Sequence, residues 1–192
     1  MAYALAWEHY SCQNLSSSPP IHSTNLESWT PPLSQWWKIN TDASWIDASS
    51  YCDIAGVIRD AQGNWVKGFY KKVLCISALM GELLAILESL RMMHVDPMQN
   101  LFILNSDCQA AVTAIHEEDR GRDANYHVIT ECRDLLQSMM GSRIEYANRA
   151  TNRVADAMAK ISRTSSLEPI ITHFVTDPPL EIRSLYYEDK PP

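Results

Sequence analysis

The stretch Lys38-Ile39-Asn40-Thr41-Asp42-Ala43-Ser44 lies inside an extended run from Trp36 to Trp45. Successive side chains of a strand point to opposite faces, so Trp37, Ile39 and Thr41 share one face while Asn40, Asp42 and Ser44 share the other. Two further β-like runs follow, Asp53 to Arg59 and Asn64 to Leu74, joined by Asp60-Ala61-Gln62-Gly63, a turn with Gly where positive φ is required. Three consecutive strands with short links predict an antiparallel meander.

Downstream, Leu79, Leu83, Ile86, Leu87, Leu90 and Met93 recur at three- and four-residue spacing, which predicts a helix capped by Ser77 and stopped before Pro97. Leu101-Phe102-Ile103-Leu104 is an apolar run of buried-strand type, and Ser106-Asp107 then opens a helical pattern through Ala110, Ala111, Ala114 and Ile115. A helix over Asn125 to Met140, a short strand over Arg143 to Ala147 and a last helix from Thr151 to Ser162 complete an α/β chain of order βββαβααβα. Residues 1–35, with Ser16-Ser17-Ser18-Pro19-Pro20 and Trp29-Thr30-Pro31-Pro32, are expected to be a flexible arm. Residues 36–164 are expected to form the domain, and 165–192 an extended Pro-containing tail that touches it in places.

The chain has 192 residues, 46% hydrophobic and 20% charged, enough for one buried core plus tails. It contains no run of about 18 apolar residues, and Met1 to Tyr10 lacks the basic start and cleavage site of a secretory signal. The expectation is a soluble, intracellular protein, nuclear or cytoplasmic, without a membrane partner. Five scattered cysteines without a CxxC pair predict reduced thiols, and six histidines without HxH or HxxxH spacing leave any metal to oxygen ligands. The net charge of −7 argues against non-specific affinity for nucleic acid, which draws its strength from clustered Lys and Arg.

Four acids stand at chemically suggestive places, and each has an ordinary alternative. Asp42 could be a solvated strand residue, Glu82 a helix-start acid facing the macrodipole, Asp107 a helix cap and Asp156 an exposed helix residue. Their order carries more than any one of them: Asp on a first strand, Glu on the helix after a meander, Asp at a strand-to-helix junction, Asp on a late helix.

In that order, and in five blocks, the chain resembles the ribonuclease H superfamily, and most closely the reverse-transcriptase-like ribonuclease H domains of plant genomes, many related to non-LTR retroelements. The blocks are Lys38 to Ser44, Gly56-Val57-Ile58-Arg59-Asp60-Ala61-Gln62-Gly63-Asn64-Trp65, Gly81-Glu82-Leu83-Leu84-Ala85-Ile86, Asn105-Ser106-Asp107-Cys108-Gln109-Ala110, and Asn148-Arg149-Ala150-Thr151-Asn152-Arg153-Val154-Ala155-Asp156. The resemblance implies a ribonuclease H-like fold, a mixed five-stranded sheet flanked by helices, with Asp42, Glu82, Asp107 and Asp156 meeting at one end as catalytic metal ligands. It implies Mg²⁺, with Mn²⁺ as substitute, and hydrolysis of the RNA strand of RNA–DNA hybrids by a two-metal displacement. By the same resemblance Ala43, Ser44 and Gln109 lie near the RNA strand and Asn152 beside the site, in a protein expected to act as a monomer.

The chain also departs from the family pattern. Ala43 replaces the usual Gly, a methyl that extended backbone tolerates but that stands on the substrate side of the pattern, and Ala78 and Leu79 stand where many members have polar contacts to the DNA strand. No histidine precedes Asp156 between Glu145 and Thr151, and Glu117 to Asp123 is mixed in sign where relatives carry a basic protrusion. These losses keep a second reading open, a catalytically weak or inactive binding or scaffold module of retroelement origin. A 3′–5′ exonuclease of the superfamily would need Asp-x-Glu on the first strand, which Asp42-Ala43-Ser44 does not supply.

Overall fold

The computed structural model describes residues 28–46, 49–95, 101–117, 124–164 and 168–190. The expected arm therefore lies outside the described residues up to position 27. Its last part is not detached: Trp29 is buried and donates its indole N–H to Asn40 Oδ1 at 2.9 Å.

Strands β1 (Trp36–Trp45), β2 (Tyr51–Arg59) and β3 (Trp65–Leu74) form the meander. The β2–β3 turn closes as its sequence predicts. Gly63 takes φ 73° and donates to Asp60 O, while Asp60 Oδ1 accepts from the backbone of Gln62 and Asn64. Helix α1 (Ala78–His94) starts on Ser77, whose hydroxyl accepts from Met80 N–H. Then come β4 (Leu101–Ser106), α2 (Gln109–His116), α3 (Tyr126–Ser138), β5 (Arg143–Tyr146) and α4 (Arg153–Thr164).

One sheet runs β5-β4-β1-β2-β3-β6, parallel across β5-β4-β1 and antiparallel across the rest. It has six strands where five were expected, because β6 (His173–Val175) joins the outer edge of β3. Three residues are too few to show an alternating pattern, so backbone pairing rather than sequence periodicity makes this strand. The expected extended tail also carries α5 (Arg183–Asp189). It docks through Tyr186, whose hydroxyl donates to Gly63 O at 2.9 Å and accepts from Trp65 N–H at 2.8 Å.

The sheet is covered on both sides, which explains why β2 is buried from Cys52 to Arg59. On one face Ile39, Cys52, Ile54 and Ile58 pack with the apolar stripe of α1, which is backed by α2 and α3. On the other, Ala55 and Val57 meet Val154, Met158 and Ala159 of α4, with Ile182 and Tyr186 beyond. The small Ala155 and Ala159 let α4 lie close to the strands. Among the described residues no helix is long and apolar enough to cross a membrane.

The seam between α1 and the meander is narrow at Gly81, where an added Cβ would come within 2.6 Å of Cys52 Sγ and 3.3 Å of the Ala43 methyl. Gly81→Ala would gain about 1 kcal/mol of helix propensity, against overpacking of about 1–3 kcal/mol in a dense core. The variant is expected to lose up to about 2 kcal/mol in urea unfolding. It should lose less in a Cys52→Ala background, and equal losses in both backgrounds would show that this contact is not the cause.

Candidate metal centre

Pairing between β1 and β4 ends at Thr41–Ser106, so from Asp42 onward β1 has no partner on that side. Into this notch the chain directs three acids: Asp42 from β1, Glu82 from α1 and Asp107 from the first residue after β4. One carboxylate oxygen of each lies within 4.8 Å of the others.

The structure decides alternatives that the sequence left open. Asp42 is not solvated but 4% exposed. Ser77 caps α1, and no acid sits in that helix's first turn, so Glu82 is neither a cap nor a macrodipole partner at the helix start. Helix α2 begins at Gln109 with Cys108 at its N-cap position and no side-chain cap, two residues later than the expected opening at Asp107. Ser106 Oγ takes the Cys108 N–H, while the Asp107 carboxylate meets its own backbone N–H and the Asp42 carboxyl.

Burial pushes the Asp42 carboxyl well above its ordinary range, and the neighbouring Asp107 and Asp156 push it further, against Arg149 and Lys160. Glu82 is raised likewise by burial and by Asp42, Cys108 and Asp107, partly offset by the Ala43 N–H that its carboxyl accepts. Asp107 is raised by burial, opposed by Arg149, whose Nε lies 3.5 Å from Asp107 Oδ2. Arg149 is 73% exposed, so solvent weakens this pair.

Glu82 Oε2 is buried without any hydrogen-bond partner. A buried orphan oxygen is costly, and three carboxylates facing one another are unfavourable unless a cation joins them. An all-oxygen donor set suits a hard divalent cation, so the residues present fit such an ion.

Asp156 is not part of this triplet. It lies in the first turn of α4, close enough to raise Asp42 and Asp107, but its Oδ2 is held by Lys160 Nζ at 2.6 Å, one turn along the helix. The residues expected near substrate divide. Ser44 Oγ accepts from Arg163 Nη1 at 3.3 Å, and the exposed Gln109 reaches only Thr113, so both are available at the rim. The Ala43 methyl lies toward α1, 3.3 Å from where a Cβ on Gly81 would stand.

Asn152, expected beside the site, is fully buried next to Asp42. Its amide nitrogen donates to Thr41 O at 2.9 Å and to Asp42 Oδ1 at 3.4 Å, and its oxygen accepts from Asn40 Nδ2 at 3.1 Å. Sequence reasoning missed Asn40, Arg149 and Lys160 as members of this site. The four-residue spacing of Asp156 and Lys160 was a usable signal for the last, and the shared strand face of Asn40 and Asp42 for the first. Nothing in the local pattern points Arg149 at Asp107.

A family model described as reverse transcriptase-like matches residues 40–162. The chain is 26% identical over 139 residues to a protein of Arabidopsis thaliana provisionally named a ribonuclease H protein, a match covering 72% of this chain. The chain spans about a fifth of that relative's length, 22%. Among solved structures, the RNase H1 of the halophilic archaeon Halobacterium salinarum superposes with a TM-score of 0.60 at 18% identity, over 67% of this chain and 97% of that one. The compost-derived LC11 RNase H1 bound to an RNA/DNA hybrid gives 0.54 at 15%, over 62% and 91%. The foamy viral protease-reverse transcriptase with an RNA/DNA hybrid gives 0.56 at 11%, over 79% of this chain and 22% of its own. At these identities the likeness establishes the fold: it is ribonuclease H-like.

The raised carboxyls fix a pH dependence for the metal-free protein. A folded pKa above the unfolded value means that the native state binds more protons, so the contribution to stability is complete below about pH 4 and is lost as pH rises through the folded value. In chelator, the melting temperature is expected to be higher at about pH 5 than at about pH 8. Glu82→Gln, which stays neutral beside Asp42, Asp107 and Cys108, should raise it at the upper pH. Thermal melts of both proteins across this range test the point, and a wild-type melting temperature that climbs steadily with pH would contradict it.

Proposed function

The chain belongs to the reverse transcriptase-like family, and from that premise we propose that it is a metal-dependent endonuclease hydrolysing the RNA strand of RNA–DNA hybrids. The observation that carries the reading is the convergence of Asp42, Glu82 and Asp107 within 4.8 Å, with Glu82 Oε2 left without a protein partner. Two relatives of this fold whose structures contain an RNA/DNA hybrid support the choice of substrate.

Asp42, Glu82 and Asp107 would hold divalent ions, Mg²⁺ or Mn²⁺, and Asp156, now paired with Lys160, would be the further ligand. A pair of such ions would supply activation of a water and charge stabilisation at the leaving oxygen. Asp42 and Glu82, whose carboxyls burial raises, would bind metal in their deprotonated form, so metal affinity would rise with pH. Ser44 and Gln109, polar and at the rim, are placed to hydrogen-bond the 2′-hydroxyl that distinguishes RNA from DNA. Arg149 and Lys160 stand beside the acids as cations for backbone phosphates.

A second reading, a nucleic-acid-binding or scaffold module with weak or no catalysis, is favoured by one observation. The half-exposed Lys160 pairs with Asp156 at 2.6 Å, a side-chain cation on the acid that would be the fourth ligand of an active centre.

Cleavage of a labelled RNA–DNA hybrid at low salt with Mg²⁺ or Mn²⁺ separates the two readings. The wild type is expected to cut only the RNA strand, less as salt rises. Asp107→Asn should lose about a thousandfold or more, because metal stabilisation of the transition state is worth several kcal/mol. No cutting by folded wild-type protein would establish the module instead.

A further inference from the structure

The C-terminal helix is joined to the candidate centre by an unbroken buried chain of hydrogen bonds. Asp189, the last residue of α5, pairs with Arg59 Nη1 at 2.7 Å. Arg59 Nη2 donates to Asn40 Oδ1 at 3.0 Å, and Trp29 Nε1 donates to the same oxygen at 2.9 Å. Asn40 Nδ2 then donates to Asn152 Oδ1 at 3.1 Å, and Asn152 Nδ2 to Thr41 O and Asp42 Oδ1. Every member is buried: Trp29 2%, Asn40 1%, Arg59 1%, Asn152 0%, Asp189 5% and Asp42 4% exposed, so bulk water cannot substitute for a missing link.

The polarity of this chain is not free. A guanidinium and an indole N–H can only donate, so Asn40 must turn its oxygen toward both and its NH₂ toward Asn152. Asn152 must then turn its oxygen back to Asn40 and its own NH₂ toward Thr41 and Asp42. Two obligate donors more than 90 residues away in sequence from Asn152 thus decide that a donor, not an acceptor, faces the buried carboxylate. The guanidinium is held for this by the Asp189 carboxylate and by the Trp29 ring, whose centroid lies 3.7 Å from Arg59 Cζ.

We infer that α5 and the Trp29 segment are remote positioning elements of the metal centre, acting through the relay Asp189–Arg59–Asn40–Asn152 to orient the Asp42 carboxylate. This rests on the reading of Asp42 as a metal ligand. Hydrogen-bond partners behind a ligand tune metal affinity as well as orientation, commonly by tenfold to a hundredfold.

The test is a Mn²⁺ titration of the full chain, with thermal melts in chelator alongside. Arg59→Lys keeps a cation for Asp189 but loses the fork that also reaches Asn40. It is expected to weaken Mn²⁺ binding by about threefold to tenfold, and Asn152→Ala by about tenfold or more. Arg133→Met is the control, since Arg133 ties the carbonyls of Ala114 and Ile115 far from the relay. It should lower the melting temperature and leave Mn²⁺ affinity unchanged. Wild-type affinity in Arg59→Lys, or in a folded Asn152→Ala should Arg59→Lys not fold, overturns the relay. Affinity losses that merely track melting temperature, control included, overturn it too. Absence of Mn²⁺ binding in the wild type overturns the metal centre itself, and the relay with it.

Discussion

Three carboxyl groups whose oxygens lie within 4.8 Å of one another repel by about 3–4 kcal/mol per ionised pair at an effective dielectric near 20. The surrounding structure makes that proximity tolerable and keeps it in one arrangement. Gly81 lets α1 approach the meander closely enough for Glu82 to reach the end of the β1–β4 ladder, and the Ala43 N–H meets the carboxyl there. The break in pairing beyond Thr41–Ser106 opens the space, and Asp107 meets Asp42 across it. Burial raises the pKa of each of these acids, so the same geometry that makes their charges costly together defines a site for a cation.

The two faces of the sheet serve this site differently. The α1 face is an apolar core with the ion-binding edge at one end, and its packing sets the position of Glu82. The α4 face mixes apolar contacts with the buried polar chain from Asp189 to Asp42. A buried salt bridge such as Arg59–Asp189 is weak evidence for stability, because desolvation of both ions offsets much of their attraction. Its more distinctive consequence is directional, since it sets which way two amide side chains point.

Charge near the site differs from charge overall. The chain carries −7, which opposes general affinity for nucleic acid. Yet Arg149, Lys160 and Arg163 stand along the edge of the notch, paired to Asp107, Asp156 and Ser44 respectively. The field met by a phosphate at short range is that of these cations and any bound metal, because more distant charges are screened within about 10 Å at ordinary ionic strength.

Much of this was legible in the amino-acid order. The meander, the Ser77-capped helix, the buried strand before Asp107 and the late Ala-rich helix are all local patterns of period two or near 3.6, and each element forms in the expected order with ends shifted by up to about two residues. The order of the four acids along those elements identified the family, and three of them meet. The sixth strand and α5 were not legible, because His173–Val175 and Arg183–Asp189 are too short for periodicity and exist through pairing with β3 and docking of Tyr186. Nor could the sequence show that Asn152 is fully buried or which way its amide turns. Those outcomes depend on which groups are left without water once the sheet is covered, and only the tertiary structure decides that: a buried amide must be satisfied by whatever donors and acceptors the fold brings to it.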